Sequence, residues 1–169
     1  MKNLKSILAI FGLLVVFTFT VSAQTSLSAL NGGKVDVQAQ KGKVVVLAIG
    51  ASWLPLSKDQ SVITNKLAKK YAGSDVVIYF VATDSIVAKS KNFATDGEIS
   101  EFATKNKLSV SVLRDSDGVQ TMKKFGCDQL PSFVVLDKNG IVSEVFGGID
   151  TNPRNDVSAQ ISQAIDKLL

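Results

Sequence analysis

The stretch Lys41–Tyr71, KGKVVVLAIGASWLPLSKDQSVITNKLAKKY, sets the architecture of the chain. Lys43 to Ile49 reads as a buried strand, because its apolar run does not alternate with polar residues. A short turn holding Trp53 and Pro55 follows. Val62, Ile63, Leu67 and Tyr71 then recur at helical spacing. Gly73-Ser74 breaks that pattern, and Val76 to Ala82 is a second apolar run fit for a parallel strand covered on both faces. Strand, helix and strand at this spacing make a βαβ unit, so the expected class is α/β.

Upstream, Ser26 to Leu30 reads as an irregular or edge segment. Asn31-Gly32-Gly33 gives a turn and Lys34–Val37 a short strand, which together predict a small hairpin. Downstream, Ser85 to Gly97 carries Lys89 and Lys91 without a clear period and reads as a surface loop. Asp96 is placed to cap a helix whose inward stripe is Ile99, Phe102 and Ala103, with Lys105 and Lys107 at its C-terminal end. Val110–Leu113 is a short strand. Asp115-Ser116-Asp117-Gly118 resembles the start of a calcium loop, but the later ligands and the closing glutamate are missing, so it reads as a solvated turn. Val119 to Phe125 predicts a brief helix ended by Gly126.

In Leu130-Pro131-Ser132-Phe133-Val134-Val135-Leu136-Asp137 the proline cannot sit inside a central strand, but it can start one. Lys138-Asn139-Gly140 is the strongest hairpin signal in the chain, with Ile141 to Phe146 as the returning strand and Gly147-Gly148 at its end. Asn152 and Pro153 make a cap and first-turn pair. Val157, Ile161, Ala164, Ile165 and Leu168 share one face of the closing helix.

Residues 1–23 read as a secretory signal peptide. Lys2 and Lys5 precede an apolar run from Ile7 to Phe19, and Val21-Ser22-Ala23 offers a cleavage site before Gln24. The run is short for a membrane span, which needs about 20 apolar residues; an uncleaved anchor is the alternative. No cysteine lies near the cleavage site, which argues against a lipid-modified one. Removing two lysines and no acid lowers the net charge from +4 to +2, which gives no warrant for a nucleic-acid partner. The remaining residues, 24–169, suit one domain with a single core. With one cysteine, Cys127, no internal disulfide forms, and with no histidine, histidine-based metal sites, Ser-His-Asp triads and Cys-His pairs are excluded. The residues imply no cofactor.

The order of hairpin, tryptophan turn and helix, inserted helix, proline-led strand, final hairpin and closing helix resembles the thioredoxin-like proteins of the TlpA/ResA (AhpC/TSA-related) type. The resemblance implies a thioredoxin-like fold over residues 24–169, a central mixed sheet flanked by helices, and a cis peptide at Pro131 facing the turn. In that family the turn reads W-C-x-x-C. Here it reads Trp53-Leu54-Pro55-Leu56-Ser57. A thioredoxin-type enzyme needs a thiolate at the helix N-terminus and a second thiol to resolve the mixed disulfide. Leu54 and Ser57 stand at those positions, so the resemblance brings the fold without the dithiol.

Cys127 is the weak catalytic candidate. It reads first as a small packed hydrophobe, with a reactive monothiol or an intermolecular disulfide as alternatives. Ser57 reads as a cap or first-turn residue that satisfies a backbone N–H, and Lys58 as a solvated charge. In related proteins this turn and the segment before the proline form a shallow groove for an extended polypeptide. The corresponding residues here are Trp53, Leu54, Pro55, Leu56, Ser57, Leu130 and Pro131. Leu54 and Leu56 either line that groove or fold inward. Burying both stabilises a complex by roughly 3–6 kcal/mol gross, much of which association costs offset.

Two functions follow. One is a non-catalytic binding module for an extended polypeptide or partner protein; the other is a thiol-disulfide oxidoreductase in cell redox homeostasis acting through Cys127 or a partner's cysteines. The expected location is periplasmic or secreted, with a membrane partner only if the signal segment stays uncleaved.

Overall fold

The computed structural model describes residues 25–150 and 156–169. The signal-peptide reading and the Asn152–Pro153 cap fall outside the described residues. The elements in chain order are β1 (Ser26–Ala29), β2 (Lys34–Asp36), β3 (Val44–Gly50), α1 (Leu56–Lys70), β4 (Val76–Ala82) and α2 (Asp96–Lys105). They continue with β5 (Ser111–Arg114), α3 (Met122–Phe125), β6 (Ser132–Leu136), β7 (Val142–Gly147) and α4 (Val157–Asp166). The strands form one mixed sheet in the order β2-β1-β5-β4-β3-β6-β7. β3 pairs in parallel with β4, and β4 with β5, while β6 runs antiparallel to β3.

The two apolar runs take adjacent interior positions, where both faces of the sheet are covered, and β6 beside β3 is buried on both faces as well. Side chains alternate across the sheet. Val44, Val46 and Ala48 of β3, with Ile78 and Phe80 of β4, pack against Leu67 of α1 and Tyr71 just after it, Ile99 of α2 and Ile161 and Ile165 of α4. Val45, Leu47, Ile49, Tyr79 and Val81 face the other way, onto Leu27, Leu113, Phe125 and Cys127. Three helices therefore cover one face, while α3 packs on the other, whose core also takes in Leu27 of β1 and Val37 after β2.

One helix start differs from the sequence expectation. Thr95, not Asp96, caps α2: its Oγ1 accepts from the Glu98 N–H at 3.2 Å while Glu98 Oε2 accepts from the Thr95 N–H at 2.7 Å. Asp156 caps α4, accepting from the Ser158 N–H at 2.9 Å. The helix read over 119–125 is shorter, because a 3-10 turn at Ser116–Gly118 takes up the chain first.

The reading of α1 also needs correction. Val62 is 64% exposed, and the buried face carries Ser57, Gln60, Ser61 and Thr64 alongside Leu67. These polar side chains enter the interior because each finds a main-chain partner: the Ser57 hydroxyl oxygen accepts from the Ala51 N–H, and the others donate to carbonyls. The Ser61 hydroxyl donates to Ser57 O at 2.8 Å and that of Thr64 to Gln60 O at 2.7 Å. Gln60 Nε2 donates to Ile49 O at 3.1 Å and Ser132 O at 2.9 Å, which ties α1 to both β3 and β6. Among the described residues no helix is long and apolar enough to cross a membrane.

Candidate functional site

β3, β4 and β5 are parallel, so the loops that follow them emerge at one edge of the sheet, where open α/β sheets commonly bind ligands. The first is the turn from Ala51 to Pro55. It is closed from inside: the Ser57 Oγ accepts from the Ala51 N–H at 3.1 Å, and the Ser57 N–H donates to Leu54 O at 3.0 Å. Ser57 thus satisfies a backbone N–H, as its chemistry suggests, but it is fully buried and cannot line a groove. Gly50 makes this packing possible, since a Cβ there would stand 2.2 Å from Gln60 Oε1 and 2.8 Å from Ser57 Oγ.

Of the other residues read as a groove, Trp53, at 46%, and Pro55 are exposed, Leu54, Leu56 and Leu130 are half-buried, and Pro131 is buried. Leu54 and Leu56 join neither core cluster, whereas Leu130 packs against the one that holds Cys127. The Leu130–Pro131 peptide is cis. The main-chain N–H and C=O of Leu130 form no hydrogen bond among the described residues, while Pro131 O accepts from the Gly148 N–H at 2.8 Å.

The two neighbouring loops are held by buried carboxylates that the sequence reading passed over. Asp84 is fully buried and accepts from the Ser52 N–H at 3.0 and 3.1 Å and from the Ser52 hydroxyl, which binds the tryptophan turn to the end of β4. Asp115, expected in a solvated turn, is buried instead. Its carboxylate accepts from the Gln120 N–H at 3.1 Å and from the N–H and hydroxyl of Thr121, both at 2.7 Å. Arg114 donates to the carbonyls of Ser85, at 3.2 Å, and Ala94, and pairs with Asp96. The Ile86 N–H donates to Ser116 Oγ at 3.1 Å. The only sequence signal for these roles is position, an acid directly after an apolar strand. Among the described residues no group of three or more His, Cys, Asp or Glu side chains stands where it could hold a metal ion.

Cys127 lies in the core cluster on the sheet face opposite Leu67 and Tyr71 of α1, and it is 8% exposed. Burial pushes its thiol pKa up; a hydrogen bond with Ser132 acts against that shift, and the charge of Asp128 adds to it. A raised pKa lowers the thiolate fraction, and the thiolate is the nucleophile.

The Redoxin family model matches residues 17–161. The chain belongs to the Redoxin family. It is similar to the thioredoxin-like protein YneN of Bacillus subtilis, 25% identical over 130 residues that cover 75% of this chain and 69% of that protein. It is also similar to the thiol-disulfide oxidoreductase ResA of Bacillus thuringiensis, 27% identical over 119 residues, 70% of this chain and 63% of ResA. This redoxin thus matches less than two thirds of ResA's length. The pneumococcal exposed lipoprotein thioredoxin Etrx1 of Streptococcus pneumoniae shares its fold, with a TM-score of 0.68 at 22% identity over 86% of this chain and all of that one. The TlpA/ResA-type, thioredoxin-like fold expected from the sequence is therefore the fold found.

Proposed function

We propose that this redoxin is an exported, non-catalytic binding module that accepts an extended polypeptide or a partner protein on the face made by Trp53, Leu54, Pro55, Leu56 and Leu130. Within the family of thiol-disulfide oxidoreductases, Leu54 and Ser57 stand where the redox pair would be. The observation that carries the reading is the placement of Cys127. The one thiol of the chain is buried in the core with its pKa raised, so the surface at the turn offers apolar side chains and no nucleophile. The unpaired Leu130 main chain suits strand-like pairing to an extended segment, with apolar contacts from the turn beside it. Export rests on the charge, length and cleavage pattern of residues 1–23, and on the likeness to a protein described as an exposed lipoprotein.

The family supports a second reading, a thiol-disulfide oxidoreductase that works through Cys127 or a partner's cysteines, because one relative carries that name. Exchange with a glutathione mixed-disulfide peptide separates the two, with Cys127→Ser as control. The expected result is no turnover above the uncatalysed rate by either protein. Turnover by the wild type that vanishes in Cys127→Ser would establish the oxidoreductase and overturn the binding-only reading.

A further inference from the structure

The β4–α2 loop, residues 83–95, reaches the same edge as the tryptophan turn. It exposes Ile86, at 64%, together with Val87 and Phe93, and the following loop exposes Val119. These side chains sit on loops that the hydrogen bonds Ser52–Asp84 and Ile86–Ser116 join to one another and to the tryptophan turn.

Its charge is one-sided. From Ser85 to Thr95 the loop carries Lys89 and Lys91 and no acid. Both lysines are exposed, and neither enters an ion pair or a side-chain hydrogen bond among the described residues. The acids nearby are engaged: Asp84 and Asp115 are buried, Asp96 pairs with Arg114, and Asp117 accepts from the hydroxyls of Ser85, at 3.2 Å, and Ser116, at 3.1 Å. The hydroxyls leave the exposed Asp117 charged, so the cationic part of this edge is confined to Lys89 and Lys91 of the β4–α2 loop.

We propose that the β4–α2 loop extends the Trp53 face into a docking surface for an extended polypeptide segment whose apolar side chains are followed on one flank by carboxylates. The inference rests on the binding function proposed above and specifies its partner. Apolar contacts come from Trp53, Ile86 and Val87, and Lys89 and Lys91 supply the charge that selects the acidic flank.

The test uses the purified protein and three fluorescent, cysteine-free peptides that share one apolar centre and carry glutamate, serine or lysine flanks. At low salt the glutamate-flanked peptide binds tightest and the lysine-flanked one weakest. The glutamate and serine flanks should differ by about two- to thirtyfold, the range that two exposed ion pairs supply, and the gap should narrow as salt rises. The double variant Lys89→Glu/Lys91→Glu reverses the order, and Trp53→Ala weakens all three. Equal binding of the three peptides, still lost in Trp53→Ala, overturns the acidic preference and leaves the binding function standing. If no peptide binds, both proposals fail. In that case binding to vesicles containing phosphatidylglycerol would assign the surface to membrane, and concentration-dependent self-association lost in Trp53→Ala would assign it to a second copy of the chain.

Discussion

Ser57 shows how one side chain can hold a turn without appearing on its surface. Its hydroxyl is the acceptor for the buried Ala51 N–H, and Gly50 leaves room for that bond and for the Gln60 amide. Ser57→Ala removes the acceptor and strands a buried donor, at a cost of about 1–3 kcal/mol. A urea titration followed by far-UV circular dichroism should show the midpoint shift with an unchanged slope. Wild-type stability in the variant would mean that the turn does not depend on this bond. The sequence announces a small polar residue at this position, but its partner is six residues back and reaches it only once the turn has folded.

At the scale of elements, hydrophobic periodicity found what burial alone controls. The run Val76–Ala82 coincides with β4 because both of its faces are covered, and the predicted hairpin joins β6 to β7 through a turn in which the Gly140 N–H donates to Asp137 O and Gly140 takes positive φ. The pattern failed where polar side chains are buried against main-chain groups. The inner face of α1 is legible only through Leu67 and Tyr71, since Gln60, Ser61 and Thr64 are buried by virtue of carbonyls that no linear pattern displays. Likewise Ser85–Gly97 has no period because it is held by turns within itself and by Arg114, far along the chain, which donates to the Ser85 and Ala94 carbonyls. Of the candidate site, the tryptophan turn and the proline were legible, whereas Asp84 and Asp115 were not, because a buried carboxylate bound by loop N–H groups looks in sequence like a solvated one.

The seam between α1 and α4 is an element-scale device with a pH signature. Lys66 reaches Asp156 at 2.9 Å and Lys70 reaches Asp166 at 3.1 Å. The bond from the Ser158 side chain, then that from Lys66, lowers the Asp156 pKa to about 2. Because the folded value lies below the ordinary one of 3.8, the stabilisation is complete above about pH 4 and is lost as pH falls through about 2. Half-exposed pairs contribute modestly. Asp156→Asn should therefore flatten the acid limb of a stability-versus-pH curve between about pH 4 and 2 and lower stability at neutral pH; an unchanged acid limb would exclude Asp156 as its source.

Over the whole molecule, one sheet separates two cores, and the thiol lies in the core on the side of α3. Reaching it requires that α3 or its surroundings open. Labelling of Cys127 by a thiol reagent should therefore be slow in native buffer and should accelerate along the urea transition recorded by circular dichroism. Fast labelling well before that transition would reveal a local opening around α3 and would revive the monothiol chemistry.

The three loops at the sheet edge are fastened by buried carboxylates and by Arg114 before any partner arrives. A surface already in its final form loses little conformational entropy on association, so the ordering penalty falls almost entirely on the incoming chain. Stiffening a ligand in its extended form, by a proline or by cyclisation, is then the most direct route to tighter binding at this edge.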